Sequence, residues 1–192
     1  MFEVPGNQSE PSEFRIVILA GGKSRRMGRR KDLLALGGQT LTEWVRGSLL
    51  ASGFPVSVLR YDLVPGLGPL GGIWTACAAY SEPWLVFVGC DMPFVNRDLV
   101  DPLVRLARES GRAAVSAVGD RWGFPLAFCQ SDVAIVWQQL RLGRRSLGGL
   151  MREVGAEVAE IPERLEWRTF NVNTPEDWER ARVIGQEKGL LA

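Results

Sequence analysis

The chain has 192 residues, 46% hydrophobic and 23% charged, with three cysteines and no histidine. A chain of this length buries roughly 70% of the surface its unfolded form exposes, so its core needs neither disulfide nor structural metal. The missing histidine excludes Ser-His-Asp and Cys-His catalysis and any imidazole base, leaving carboxylates, cations, backbone amides or a metal ion to carry chemistry.

The net charge of +1 hides a division along the chain. Six of the nine residues from Lys23 to Lys31 are basic and none is acidic, leaving 17 basic against 22 acidic residues elsewhere. One short cationic loop on an acidic background is expected to meet an anion. Cys77, Cys90 and Cys129 are odd in number and form no Cys-x-x-Cys pair, which fits a reducing cytoplasm.

Residues 1–13 read as a flexible acidic tail without the basic leader and apolar stretch of a signal peptide. The remainder, 14–192, reads as a single domain. Phe14 to Leu19 is a β-branched apolar run stopped by Gly21 and Gly22, as in a strand buried on both faces. Thr42 is placed to cap a helix ending at Gly53, and Val56 to Leu59 is a second strand. Gly68 to Gly72 opens a helical stretch that precedes the strand Trp84 to Val88. Asn96 caps a helix that Gly111 ends, with Pro102 inside it. Ala113 to Val118 and Pro125 to Cys129 read as strands, Asp132 to Leu142 and Ser146 to Val154 as helices, and Val158 to Ile161 as a short strand. The last helix starts near Thr174 and Pro175, with Glu176 and Asp177 in its first turn.

This alternation predicts a three-layer α/β/α sandwich with a mostly parallel, Rossmann-like sheet. Ligands of such sheets bind outside the carboxyl ends of strands, which directs attention to the loops after Leu19 and Val88. No apolar run approaches the roughly 20 residues of a membrane helix, and the cations are too localised for a nucleic-acid face. Neither a membrane nor nucleic acid is expected as a partner.

The first candidate site is the string Leu19 to Lys31. Its glycines let the backbone approach a ligand, while Lys and Arg neutralise phosphate charge. Read alone, Gly-Gly-Lys-Ser is most simply a solvated basic turn. A Walker A loop is excluded because Val17 stands where that motif requires glycine. The second candidate, Gly-Cys-Asp-Met-Pro-Phe, puts Asp91 at the carboxyl end of a strand, where a carboxylate either caps a turn or holds Mg²⁺. The third, Asn-Val-Asn-Thr-Pro-Glu-Asp, alternates Asn171 and Asn173 on one side of an extended segment. It serves equally as the entry to an N-capped helix.

Taken together, Leu-Ala-Gly-Gly-x-Ser-x-Arg-Met-Gly after a strand, then Lys31, the Cys-Asp-Met-Pro element and the Asn-x-Asn-Thr-Pro-Glu-Asp ending resemble the molybdenum cofactor guanylyltransferases, within the nucleotidyltransferase superfamily. The resemblance runs from Phe14 to about Arg182. It implies transfer of GMP from GTP to molybdopterin, with release of pyrophosphate. It further implies that Leu19, Ala20, Gly21 and Gly22 hold the nucleotide, that Arg25, Arg26 and Lys31 face the triphosphate, and that Asp91 binds nucleotide and Mg²⁺. Asp62 falls in the place of an acid that contacts the nucleotide, just before Gly-Pro-Leu-Gly-Gly. Asn171, Asn173 and Arg145 are implied at the molybdopterin site. Proteins that supply or accept the cofactor are the expected partners, in the cytoplasm.

Two rival readings accompany this one. The same fold serves other bases and acceptors, such as CTP with molybdopterin or a nucleotide with a sugar phosphate. Arg30 in the place of a usual aspartate, and a single strand between Val56 and Gly68, leave room for a GTP-binding homologue without turnover.

Overall fold

The computed structural model describes residues 12–21 and 35–191. The basic stretch from Lys23 to Lys31, with Gly22, lies outside them. A six-stranded sheet has the order β4-β1-β5-β7-β6-β8. Its strands are β1 (Phe14–Leu19), β4 (Val56–Leu59), β5 (Trp84–Gly89), β6 (Ala114–Val118), β7 (Arg121–Cys129) and β8 (Glu157–Glu160). β1 pairs in parallel with β4 and β5, β6 pairs in parallel with β8, and β7 alone runs antiparallel between β5 and β6. The expected mostly parallel sheet is present.

Alternation along the strands builds the three layers. Phe14, Ile16, Ile18, Val86 and Val88 face a core formed with Val45 and Leu49 of α1 (Leu41–Leu50) and with α3 (Arg97–Ser110). Val17, Leu85, Phe87, Leu126 and Phe128 face the opposite core, closed by α2 (Pro69–Ala79), α4 (Val133–Arg141) and α5 (Leu147–Glu153). α3 shows why a sequence of low mean hydropathy docks so firmly: Leu99, Val100, Leu103, Val104 and Ala107 recur at helical spacing and are all buried. Each buried Leu or Val contributes about 1.5–3 kcal/mol relative to exposure. Asn96 accepts the Asp98 N–H at its start, and Gly111, at φ 67°, ends it in the left-handed region.

Several local features differ from expectation. α1 is capped by Thr40, whose hydroxyl accepts the Glu43 N–H while the Glu43 carboxylate accepts the Thr40 N–H. Thr42 is instead 3% exposed inside the helix. Thr40 wins because Glu43 stands three residues after it, completing a capping box. Before it, β2 (Ala35–Leu36) and β3 (Gln39–Thr40) form a small hairpin whose turn residues Gly37 and Gly38 have φ of 58° and 84°. That conformation suits a two-residue turn that only glycine-like residues adopt freely. β7 starts four residues earlier than the sequence suggested, at Arg121, and pairs with β6 through a bulge beside Val115 and Ser116. A 3-10 segment, Glu163–Thr169, precedes the last helix, α6 (Pro175–Glu187).

A third apolar cluster joins Leu36 of β2, Leu41 of α1, Phe94, Val172 and Ala181 of α6. The Trp178 indole donates to the Ala35 carbonyl at 3.2 Å. The hairpin, the loop after β5 and the C-terminal segment are thereby fixed to one end of the sheet. Ahead of β1, the Glu13 carbonyl accepts the Trp84 N–H at 3.2 Å. Among the described residues, no helix is long and apolar enough to cross a membrane.

Candidate active site

The carboxyl ends of β1, β4 and β5 lie side by side and carry the candidate residues. The Ala20 N–H donates to the Leu59 carbonyl at 2.8 Å, and the Cys90 N–H donates to the Leu19 carbonyl at 3.1 Å. These bonds lock the Leu19-Ala20-Gly21 backbone between the strand ends. Asp62, in the connection after β4, lies directly against Gly21: a Cβ there would stand 3.2 Å from Asp62 Oδ1. Burial pushes the Asp62 carboxyl above its ordinary value.

Asp91 occupies the corresponding place after β5. Its carboxylate folds back over the strand end, where a Cβ on Gly89 would stand 2.5 Å from Oδ1. Gly89 is the register partner of Leu19, so this carboxylate borders the first loop. The Asp91 carbonyl also accepts the Val172 N–H at 2.8 Å. That one backbone bond carries the C-terminal asparagines to the carboxyl end of the sheet, from a stretch far away in sequence.

Val172 is fully buried, and its neighbours Asn171 and Asn173 therefore face away from the core. The Asn171 amide donates to the Thr169 carbonyl at 2.7 Å. The Asp177 carboxylate accepts the Asn173 and Thr174 N–H groups, both at 3.0 Å, while Thr174 accepts the Asp177 N–H. The expected cap of α6 and the asparagine display are thus one construction, since the capping box sets the direction in which the asparagines leave.

Next to Asn171 opens a cleft of about 180 Å³. Ser116 on β6, Arg121 and Trp122 on β7, and Thr169 line it. The β7 bulge follows the Arg121-to-Gly123 stretch and redirects it toward the cleft. Sequence reasoning passed over these residues because β6, β7 and the segment before α6 meet only through the tertiary fold. It passed over Thr75 as well, although a hydroxyl on the apolar helix Ile-Trp-Thr-Ala-Cys-Ala was a visible signal.

Leu19, Ala20, Gly21, Asp62, Asp91, Asn171 and Asn173 therefore gather at one end of the sheet. Arg145 is held differently: its guanidinium donates to the Gly66 carbonyl at 2.7 Å, so its tie is to the β4–α2 connection that also carries Asp62. Gly22, Arg25, Arg26 and Lys31 lie outside the described residues. Cys90 packs against the core of the α1 and α3 face, and burial pushes the Cys77 thiol up to about 12, so Cys77 stays protonated at neutral pH.

Comparison with known proteins adds to this geometry. The MobA-like NTP transferase domain family matches residues 16–158. An Opitutus terrae protein named "Probable molybdenum cofactor guanylyltransferase" is 35% identical over 190 residues, covering 86% of this chain and 93% of its own. The molybdenum cofactor guanylyltransferase of Syntrophotalea carbinolica is 33% identical over 198 residues, covering 92% and 94%. Among solved structures, molybdopterin-guanine dinucleotide biosynthesis protein A from Archaeoglobus fulgidus superposes with a TM-score of 0.75 at 23% identity, covering 90% of this chain and 99% of that one.

Proposed function

Since this chain belongs to the MobA-like NTP transferase domain family and is a nucleotidyltransferase, we propose that it transfers GMP from GTP to molybdopterin as a Mg²⁺-dependent cytoplasmic enzyme. The observation that carries this reading is the Val172 to Asp91 backbone bond at 2.8 Å, which joins the nucleotide side of the sheet to the asparagines and their cleft. A transferase needs such a junction, because donor and acceptor must meet within bonding distance.

In this reading an oxygen of the molybdopterin phosphate attacks the α-phosphorus of GTP. The new P–O bond forms as the α–β anhydride bond breaks, and pyrophosphate leaves with the electron pair. The Leu19-Ala20-Gly21 backbone holds the nucleotide, and Asp62 contacts it across Gly21. Arg25, Arg26 and Lys31, with Gly22, meet the triphosphate and the departing pyrophosphate. The cleft beside Asn171 takes the acceptor, with Arg121 in its wall and Asn173 on the same extended segment as Asn171. Arg145 acts through the β4–α2 connection. No protein nucleophile is required, because the acceptor brings its own phosphate.

Asp91 suits Mg²⁺: it is a hard oxygen donor, and the absence of a side chain at Gly89 leaves its carboxylate a cradle over the strand end. An ion held there by Asp91 would supply positive charge to offset that of the phosphates.

Titration with GTP and with CTP in the presence of Mg²⁺ tests the base assignment, followed by pyrophosphate release with molybdopterin. GTP is expected to bind more tightly and to support release. Tighter CTP binding would overturn guanylyl transfer in favour of cytidylyl transfer, and GTP binding without release would make the chain a binding homologue.

A further inference from the structure

Leu63, the residue after Asp62, is bonded to a hydroxyl twelve residues further on. Around Asp62 the connection after β4 is not anchored by apolar side chains, since Tyr61 and Leu63 are 66% and 56% exposed. The tie nearest to Asp62 comes one residue after it. There the Leu63 N–H donates to Thr75 Oγ1 at 2.9 Å, and the Thr75 hydroxyl in turn donates to the Gly71 carbonyl at 2.8 Å. Thr75 is 1% exposed, on the face of α2 turned toward the core.

A hydroxyl accepts and donates at once, and this site uses both capacities. Valine has the same shape but offers neither, so it would leave a buried Gly71 carbonyl with one fewer partner and the Leu63 N–H without its acceptor. A hydroxyl bonded back to the carbonyl four residues earlier slightly destabilises a helix. The bond to Leu63 gives it a purpose beyond the helix. The helix that carries Thr75 also packs Gly72 against Leu19, so α2 sets both walls of the same corner: Leu19 through Gly72, and Asp62 through Thr75.

We propose that Thr75 is a positioning residue for nucleotide binding: its hydroxyl fixes the Asp62 backbone so that the carboxylate stays against Gly21, in reach of the nucleotide. The proposal rests on the assignment of Asp62 to the nucleotide site. Its effect belongs to ground-state binding of GTP and not to the transfer step.

The test compares Thr75→Val, Thr75→Ser, Asp62→Asn and the double variant Thr75→Val with Asp62→Asn in the full-length protein. GTP binding with Mg²⁺, KM and kcat for pyrophosphate release, and thermal unfolding are measured for each. Thr75→Val is expected to weaken GTP binding and raise KM by about tenfold, with kcat within about twofold, since a mis-set charged contact loses uniform binding. Thr75→Ser is expected to restore both values. In the Asp62→Asn background, Thr75→Val is expected to change KM little, because the group it positions is gone.

A purely structural role predicts the opposite for the double variant, with the loss repeated in full, and that result would overturn the proposal. So would a Thr75→Val protein with wild-type KM, or a raised KM that serine does not restore. If Thr75→Val fails to fold, the Ser variant and the Asp62→Asn variant still decide: loss of GTP affinity in Thr75→Ser while Asp62→Asn keeps it would overturn the link. A wild-type protein that bound no GTP would overturn the underlying assignment and this proposal together, whereas normal wild-type binding with an unaffected Val variant would overturn this proposal alone.

Discussion

Replacing Gly72 by alanine probes the corner where α2 meets the first strand. An ideal Cβ on Gly72 would lie 3.0 Å from Leu19 Cδ2 and 3.2 Å from Cδ1. Comfortable carbon contacts are about 3.5–4.0 Å, so Leu19 must retreat by several tenths of an ångström or α2 must lift. Overpacking of this kind costs about 1–3 kcal/mol. Against it stands the gain of roughly 0.5–1 kcal/mol for alanine over glycine inside a helix. The net expectation is destabilisation by about 1 kcal/mol, a fall in Tm of about 2–4 °C for a chain of this size.

Activity should fall further than stability. Leu19 is the residue whose carbonyl accepts the Cys90 N–H, and its displacement moves the backbone assigned to the nucleotide. A loss in kcat/KM of about tenfold or more is expected from a misplacement on this scale. The control is Gly47→Ala in α1, where nothing lies within 4 Å of the added Cβ. It should raise stability by roughly 0.5–1 kcal/mol and leave activity alone. Thermal unfolding and pyrophosphate release measure both effects. A Gly72→Ala protein as stabilised as Gly47→Ala, with wild-type kcat/KM, would refute the packing argument.

Other consequences follow from charges and caps. Asp62 has a carboxyl raised by burial above its ordinary value of 3.8, so the folded state holds the proton more tightly than the unfolded one. Stability then falls as pH rises through the interval between the two and stays lowered above it. Asp62→Asn should accordingly be at least as stable as wild type at pH 7 in thermal unfolding, yet bind GTP about tenfold less tightly. The Arg15 guanidinium, bonded to Glu82 at 2.6 Å, holds the Glu82 carboxyl below its ordinary value of 4.5. The stability this pair supplies is present above that ordinary value and lost as pH falls through the depressed one, so Glu82→Gln should flatten the acid limb of a stability profile. Thr40→Ala removes the N-cap of α1 and should cost about 1 kcal/mol in chemical denaturation, while Thr42→Ser should not disturb the cap.

How much of this was legible in the sequence depended on the range over which each signal acts. β1, β5, α3 and the start of α6 carry local patterns, an apolar run or a cap followed by helical spacing, and they stand where those patterns put them. The cap of α1 was also local. Both Thr40 and Thr42 are good cap residues, but only Thr40 has a glutamate three places on. The hairpin before α1 is too short, at two residues per strand, for periodicity to register, though Gly37-Gly38 is a turn signal.

The site divides in the same way. Asp91 was placed at the end of a strong strand by sequence alone. The approach of Asp62 to Gly21, the arrival of Asn171 beside β6 and β7, and the tie of Arg145 to Gly66 depend on contacts between distant segments that no periodicity encodes. Thr75 lies between the two cases: its type was visible in an apolar helix, but its partner was not.

The most direct test of the central claim is pyrophosphate release from GTP in the presence of molybdopterin and Mg²⁺, with Asp91→Ala compared against wild type and Cys90→Ala. Loss of about a hundredfold or more in Asp91→Ala with unfolding unchanged is predicted, since removal of one charge-stabilising group in such a step costs on that order. Cys90→Ala should retain activity. An Asp91→Ala protein that released pyrophosphate at the wild-type rate would contradict the account.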